Sequence, residues 1–420
     1  MPRTLAEWLD YQQRTHKRDI DLGLERIRRV WVRMGAPRAP LAITVGGTNG
    51  KGSTVAFLTA MLAAAGRRTG TYTSPHIRVY NERIRVDGID ADDATLCAAF
   101  ERIERARAEI PLTYYEFATL AALDIFARAG VDVMVLEVGL GGRLDATNIV
   151  DADAVAVTTV DLDHMEFLGP DRDSIGREKA GIARAGRPAV VGDVDAPRGL
   201  LDALRAIGAE VIRAGHDFHV EATDAGMQWH HVDGSELVLP PLPLEAPCQL
   251  ANAATAVALV HALAPRLPWQ PEAWQRGLRD TRLEGRLQHL GHDPRRIVDV
   301  AHNPQAAGVL ARWLAAHRGR GEVRAVYGAL ADKDVAGVVR AVGDQVSHWY
   351  LGGLADVTPR GLAAAALADR LDQALPGTRP RMHADIAAAW CAALADAGPD
   401  DVVVAFGSFF VVSAVLSLPD

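Results

Sequence analysis

Short, nearly unbroken apolar runs alternate along this chain with longer segments of helical period. "LAITVGG" (41–47) is a run of the first kind and predicts a strand; "KGSTVAFLTAMLAAAG" (51–66) predicts the helix behind it, closed at Gly66. "VDVMVLEVG" (131–139) and "DAVAVTTVD" (153–161) are near-continuous apolar runs, as expected for parallel strands covered on both faces. "RRIVDVAHN", "EVRAVYGAL" and "DVVVAFGSF" repeat the pattern near the carboxyl end, each followed by a helical segment. Strand and helix in alternation predict α/β domains built on parallel sheets. Between about 190 and 245 the texture changes to short alternating runs, turn residues and a proline cluster, which predicts a small antiparallel β subdomain. A fresh strand–helix series begins just after Arg286, so the chain divides into 1–286 and 287–420.

Composition narrows the class. At 420 residues the chain is too long for one ordinary core, and about 150 residues per domain suggests two or three. With 49% hydrophobic and 23% charged residues and a mean hydropathy of +0.02, it reads as a soluble globular protein. The 45 Lys and Arg against 53 Asp and Glu leave a net charge of -8, which argues against a nucleic-acid partner but allows a small anion in a local basic pocket. Cys97, Cys248 and Cys391 have neither metal-type nor disulfide-type spacing. "MPRTLAEWLDYQQ" lacks the apolar core of a signal peptide, and no run approaches the roughly 18 apolar residues of a membrane span. The expectation is a cytoplasmic protein with no membrane partner.

Ligands of open α/β sheets collect beyond the carboxyl ends of strands, and unusual polar groups stand there. "VGGTNGKGST" (45–54) follows one predicted strand and opens a helix, but departs from the usual phosphate loop: Val45 holds the first glycine position and Gly52 follows Lys51. Its glycines allow close backbone approach to an anion, Lys51 can neutralise phosphate charge, and Ser53 or Thr54 can reach an accompanying Mg²⁺. The bland alternative is a glycine-rich turn without a ligand. "TYTSPHI" offers Ser74 as a hydroxyl ligand and His76 as a base or donor, or simply a turn before Pro75. Glu137 ends a run of four apolar positions; a carboxylate there calls for a metal or a partner such as Arg143. Asp161, Asp163 and His164 lie just beyond the next strand, where His164 is either a ligand or a turn residue. Lys179, among Arg177 and Glu178, reads by itself as part of a solvated helix face.

Taken together, these pieces resemble the folate branch of the Mur ligase superfamily of ATP-dependent amide-bond ligases. The resemblance runs in order through "GTNGKGS", "TSPHI", "ERI", "LTYYEFATL", "LEVGLGGRLDATNIVDAD", "DHMEFLGPDRDSIGREKAGI", "NAATA", "GRLQ", "DVAHNPQAA", "ADKD" and "FGSF", which covers nearly the whole chain. It implies a P-loop-type three-layer ATPase domain binding ATP and pterin over 1–286, and a smaller Rossmann-like glutamate ligase domain over 287–420. It implies that Thr48, Asn49, Gly50, Lys51, Gly52 and Ser53 cradle ATP phosphates, with Asn252, Arg286 and Asp299 also on the nucleotide. Ser74, Glu137 and His164 would hold Mg²⁺. Lys179 matches a lysine that is carbamylated in similar proteins, and a monovalent cation is a further candidate cofactor. Asp19, Ile20, Asp21, Thr113, Tyr114, Tyr115, Glu116, Leu144, Asp145 and Ala146 would line the pterin pocket, and His302 and Ser408 would serve the incoming glutamate.

The implied reaction joins L-glutamate to dihydropteroate and to reduced folates through an acyl phosphate, by a protein acting as a monomer. Two departures stand out: Tyr115 replaces the usual phenylalanine, and Met165, Glu166 and Phe167 stand where "TDW" is common. The rival readings are a peptidoglycan ligase, a polyglutamylating enzyme without the dihydropteroate reaction, and a P-loop ATPase switch with no ligase chemistry.

Overall fold

The computed structural model describes residues 3–16, 20–223 and 226–419, and the chain divides into two compact units. One comprises residues up to Pro243 together with Leu250–Thr281; the other comprises Leu244–Gln249 with Arg282 onward.

The first unit is built on eight strands: β1 (Leu41–Gly46), β2 (Thr69–Tyr72), β3 (Ile84–Val86), β4 (Ile89–Asp90), β5 (Val133–Glu137), β6 (Ala154–Val157), β7 (Pro188–Val191) and β8 (Glu210–Arg213). Their order is β4-β3-β2-β5-β1-β6-β7-β8; the six from β2 to β8 run parallel and the β3–β4 edge is antiparallel. All of β1 and β5 is buried, which explains their unbroken apolar character. Met134 and Leu136 join a cluster with Phe117, Leu120 and Phe126 of the helix Tyr114–Ala129. Val155, Val157, Ala189 and Val191 join another, with Ile175, Leu200 and Leu204 of the helices Arg172–Ala180 and Arg198–Ile207. The helix Tyr114–Ala129 begins with a reciprocal cap: Thr113 Oγ1 accepts from the Glu116 N–H and Glu116 Oε2 accepts from the Thr113 N–H, worth about 1 kcal/mol.

The antiparallel subdomain consists of β9 (Phe218–Thr223), β10 (Gly226–His231) and β11 (Glu236–Leu239), ordered β11-β10-β9. It begins later than the texture of the sequence suggests. "PAVV" and "EVIR" extend the parallel sheet as β7 and β8, with a helix between them; the first runs straight into the turn residues Gly192 and Asp193 and the second has a charged residue at each end, which masks both as buried strands.

The helices Lys51–Ala64 and Pro271–Asp280 approach so closely that a Cβ at Gly277 would lie 2.4 Å from the Met61 Cα. Gly277→Ala is therefore expected to destabilise the first unit by about 1–3 kcal/mol, visible as a lower denaturant midpoint with unchanged m.

In the second unit β12 (Gln288–His292), β13 (Arg295–Val298), β14 (Val323–Tyr327), β15 (His348–Gly352), β16 (Arg381–His383) and β17 (Val402–Phe406) form a sheet ordered β12-β13-β17-β14-β15-β16. Only the β12–β13 pair is antiparallel. Among the described residues no helix is long and apolar enough to cross a membrane.

Candidate active site

Strand order brings the polar groups of the first unit into a row. β1 lies between β5 and β6, with Val45 opposite Glu137 and Gly46 opposite Val157, and on the far side of β5 Tyr72 pairs with Leu136. Beyond the strand ends, Ser74, Glu137, the glycine loop and the Thr158–His164 segment follow one another across the sheet.

The glycine loop is braced from β6. Thr48 N–H donates to the Thr159 carbonyl at 2.8 Å, and Asn49 N–H to Thr159 Oγ1 at 3.0 Å. Thr48 Oγ1 donates to the Asp161 carbonyl at 3.1 Å and accepts from its N–H at 3.0 Å. Gly50 precedes the helix at φ 85°, and a Cβ there would stand 2.4 Å from Asn252 Oδ1, so this position needs glycine on both grounds. The Lys51 ammonium donates to the carbonyls of Gly47 (3.0 Å) and Thr48 (3.1 Å), which lays it across the loop. No side chain caps this helix start, an arrangement suited to an anion. Ser53 and Thr54 are both buried, Thr54 completely.

Glu137 is buried at the end of β5, and its Oε2 accepts the Ser74 N–H at 3.1 Å. Arg143 pairs instead with Glu178, at 2.9 Å, so the Glu137–Arg143 bridge that the sequence allowed does not form. Asp145 organises the intervening loop: Oδ2 accepts from the Gly139 and Leu140 N–H groups at 3.0 Å each, and Oδ1 from Thr147 N–H and Oγ1 at 2.9 and 2.7 Å. Burial pushes its carboxyl pKa up against those bonds. His164 sits at φ 51° before the short helix Met165–Leu168, its Nε2 3.8 Å from Asp163 Oδ1. A buried carboxylate, a hydroxyl and an imidazole suit a hard divalent cation that keeps further oxygen ligands from a nucleotide.

Lys179 departs from its expected surface position. It is 3% exposed, and its ammonium pKa is pushed down to about 7, first by burial, then by Lys51, with Asp163 opposing. The Arg143 N–H donating to the Glu178 carbonyl at 2.8 Å ties this helix to the loop after β5.

The expected pterin residues divide. Asp19 lies outside the described residues, and Ile20 is half-buried. Arg26 gathers Asp21 (2.7 Å) and Glu116 (3.3 Å), which links the amino-terminal segment to the start of the helix Tyr114–Ala129. Thr113 and Glu116 are occupied in capping that helix. The Tyr115 ring lies 5.9 Å from Tyr72, and its hydroxyl donates at 3.4 Å to the Glu137 carbonyl and to Asp145 Oδ1. Bonds that long contribute little, so Tyr115→Phe is expected to shift stability by under about 1 kcal/mol and to keep turnover within about threefold. Leu144 is half-buried, and Ala146 opens a 3₁₀ turn behind Asp145.

In the second unit Arg286 lies over the Phe409 ring at 5.5 Å, and the His302 ring is 6.2 Å from the same ring. Asp299 accepts from the Leu287 and Ala301 N–H groups at 2.8 Å each; burial raises its pKa, opposed by Arg286. Ser408, 4% exposed, caps the helix Phe409–Leu416. His302 and Ser408 follow β13 and β17, which are neighbours in parallel register, Val298 opposite Ala405.

Sequence reasoning missed three contributors. Thr158 and Thr159 brace the glycine loop, and their only signal is the unusual "TT" at a strand end. Arg83, from the "ERI" run, is 8% exposed, lies 5.5 and 5.4 Å from the Tyr80 and Tyr114 rings, and donates to His76 Nδ1 at 2.8 Å. Burial first, and Arg83 second, lower the His76 pKa to about 4, so His76 is a neutral acceptor here rather than a proton carrier at pH 7.

The Mur ligase middle domain family matches residues 45–260, and the Mur ligase, glutamate ligase domain family matches residues 285–409. The dihydrofolate synthase/folylpolyglutamate synthase of Escherichia coli (strain K12) is 44% identical over 417 residues, spanning 99% of this chain and 96% of the relative. The corresponding Haemophilus influenzae protein is 39% identical over 433 residues, spanning 97% and 96%. Among solved structures, E. coli FolC in complex with DHPP and ADP superposes with a TM-score of 0.93 over 99% of this chain and 98% of that one, at 44% identity. A bifunctional folylpolyglutamate synthase/dihydrofolate synthase with Mn, AMPPNP and L-glutamate bound gives 0.89 over 99% and 98%, at 43% identity. The two domain matches define a Mur-type ligase. Within that class, the chain belongs to the dihydrofolate synthase/folylpolyglutamate synthase family of ATP-dependent ligases.

Proposed function

We propose that the chain adds L-glutamate to 7,8-dihydropteroate and, in a second activity, to reduced folates, using ATP and Mg²⁺. The observation that carries this reading is the row formed by Ser74, Glu137, the Lys51 loop and the Asp161–His164 segment across adjacent strand ends. The ligands of its relatives, DHPP with ADP in one and Mn, AMPPNP and L-glutamate in another, support the same substrates here.

The substrate carboxylate attacks the γ-phosphorus of ATP, and ADP leaves. The neutral amine of glutamate then adds to the acyl carbon, and the tetrahedral intermediate expels inorganic phosphate. Catalysis of the first step is positioning and charge neutralisation. Gly50, Gly52 and Ser53 present N–H and hydroxyl groups to the phosphates, Thr48 and Asn49 shape that cradle through their bonds to Thr159 and Asp161, and Lys51 swings from its loop carbonyls to the charge that develops. Ser74, Glu137 and His164 would hold Mg²⁺, which supplies further neutralisation when bound. Lys179 is carbamylated, turning a buried cation into an anion beside that cation site. Asn252, Arg286 and Asp299 contact the nucleotide. Ile20, Asp21, the Thr113–Glu116 segment and Leu144–Ala146, together with Asp19, hold the pterin end. His302 and Ser408 orient glutamate, so residues 1–286 serve ATP and pterin, while residues 287–420 serve the amino acid and add Asp299 to the nucleotide. We take the enzyme to act in the cytoplasm as a monomer, with no nucleic-acid or membrane partner.

The test supplies Mg²⁺-ATP and L-glutamate with either 7,8-dihydropteroate or tetrahydrofolate, and reads ADP release and product mass. Glutamate-dependent turnover with both is expected. Turnover with tetrahydrofolate alone would remove the dihydropteroate activity, and glutamate-independent ATP hydrolysis alone would remove ligation altogether.

A further inference from the structure

Away from the strand-end row, the small antiparallel sheet carries a cluster that ligation does not use. His231 closes β10, Asp233 lies in the turn to β11, and His261 stands near the end of the helix Gln249–Ala262. His231 Nδ1 is 2.9 Å from Asp233 Oδ1, and His261 Nε2 is 3.1 Å from Asp233 Oδ2. One ligand atom from each of the three residues lies within 4.8 Å of the other two.

We propose that His231, Asp233 and His261 form a binding site for a divalent transition-metal ion of the Zn²⁺ type. The donor set carries the argument. Two imidazoles and a carboxylate, with a fourth position open to water, are a common zinc environment, and ligand atoms about 2.0–2.2 Å from such an ion stand about 3.4 Å apart in a tetrahedron. His231 Nδ1 and His261 Nε2 address different oxygens of Asp233, at 2.9 and 3.1 Å, and with one ligand atom per residue all three lie within 4.8 Å, a spread that side-chain rotation can draw in around an ion.

The surroundings fix both rings. Trp229 is fully buried; His231 stacks on it at 5.9 Å, and His261 lies 5.4 Å from it. Trp269 meets His261 edge-on at 5.5 Å, and the two imidazoles are 4.3 Å apart. Ser235 N–H donates to Asp233 Oδ1 at 2.9 Å and holds the carboxylate in the turn, while Ser235 Oγ lies 3.1 Å from His261 Nε2. The histidine side chains are 13% and 14% exposed and Asp233 is 48% exposed, so the imidazoles are preorganised against an apolar wall and an ion has an entrance. An ion here ties the β10–β11 turn to a helix whose first turn carries Asn252, the residue against Gly50. Protons shared among the same three side chains are the competing arrangement.

The experiment uses the full chain without an affinity tag, treated with chelator and then dialysed against Zn²⁺ with excess Mg²⁺ and ADP present, so that Mg²⁺ competes for the oxygen-rich strand-end site. One Zn²⁺ per chain is expected, with at least about tenfold weaker binding in Asp233→Asn and in His261→Gln. Asp233 is a surface turn residue, so Asp233→Asn keeps wild-type ligase turnover, which certifies its fold independently of metal. Zn²⁺ raises the melting temperature of the wild type and not of Asp233→Asn. His230 faces Glu221 and Glu236 at 3.1 Å each and is the control: His230→Gln is expected to bind as the wild type does. Undiminished binding in both Asp233→Asn and His261→Gln, or loss confined to His230→Gln, overturns the proposal, as does the absence of Zn²⁺ binding in the wild type.

Discussion

Lys51→Ala is expected to lower kcat by about 10³-fold with either acyl substrate while the protein stays folded. The magnitude is that of removing one preorganised charge from a developing transition state. The fold survives because the Lys51 ammonium bonds to the Gly47 and Thr48 carbonyls of its own loop, while Thr158, Thr159 and Asp161 brace that loop from the neighbouring strand end. Steady-state kinetics alongside circular dichroism distinguish the outcomes. A variant within tenfold of the wild type would remove Lys51 from phosphate neutralisation, and the glycine loop would then be a structural turn.

Lys179→Met is expected to cost about 10²-fold in kcat and to abolish a carbamate carbon signal that labelled bicarbonate gives in the wild-type NMR spectrum. An ordinary lysine is almost wholly protonated at neutral pH, whereas burial and Lys51 bring this one to about 7, so roughly half of it is free amine able to add CO₂ at pH 7. Stability gives a second readout. The folded value lies below the unfolded 10.5, so between about pH 7 and 10.5 the unfolded chain binds the extra proton. The cost of burying Lys179 is therefore fully present below about pH 7 and is relieved as pH rises toward 10.5. In CO₂-free, metal-free buffer Lys179→Met should melt above the parent at pH 7, with the gap narrowing as pH rises. A variant that keeps wild-type turnover, or a wild type without the carbamate signal, would return Lys179 to a purely structural role.

Parallel strands were the most legible part of the chain, because β1, β5, β6 and β17 are buried along their whole length and are apolar at nearly every position. β7 and β8 were lost to the antiparallel subdomain because β7 runs straight into the turn residues Gly192 and Asp193 and β8 carries the charged Glu210 and Arg213 at its ends. At the site, Glu137 announced itself as a carboxylate ending an apolar run. Its exclusion from pairing with Arg143 depends on the helix that brings Glu178 to Arg143, a tertiary fact. Lys179 could not be read from its charged neighbours: Arg177 and Glu178 are local, and what buries Lys179 is the packing of distant segments. Arg83 was hidden in the same way, since its aromatic partner Tyr114 is 31 residues away in sequence. The assignment of roles to Asn252, Arg286, Asp299, His302 and Ser408 came from motif resemblance, because nothing in their local pattern distinguishes a ligand from a cap or a turn.

The most direct test of acyl-phosphate chemistry is the fate of the substrate oxygen. Dihydropteroate with isotopically heavy carboxylate oxygens is turned over with Mg²⁺-ATP and L-glutamate, and the released phosphate is weighed by mass spectrometry. One heavy oxygen per phosphate is predicted, because the carboxylate attacks phosphorus and its oxygen leaves with the phosphate. Phosphate carrying only light oxygen, alongside normal amide formation, would contradict activation by phosphoryl transfer.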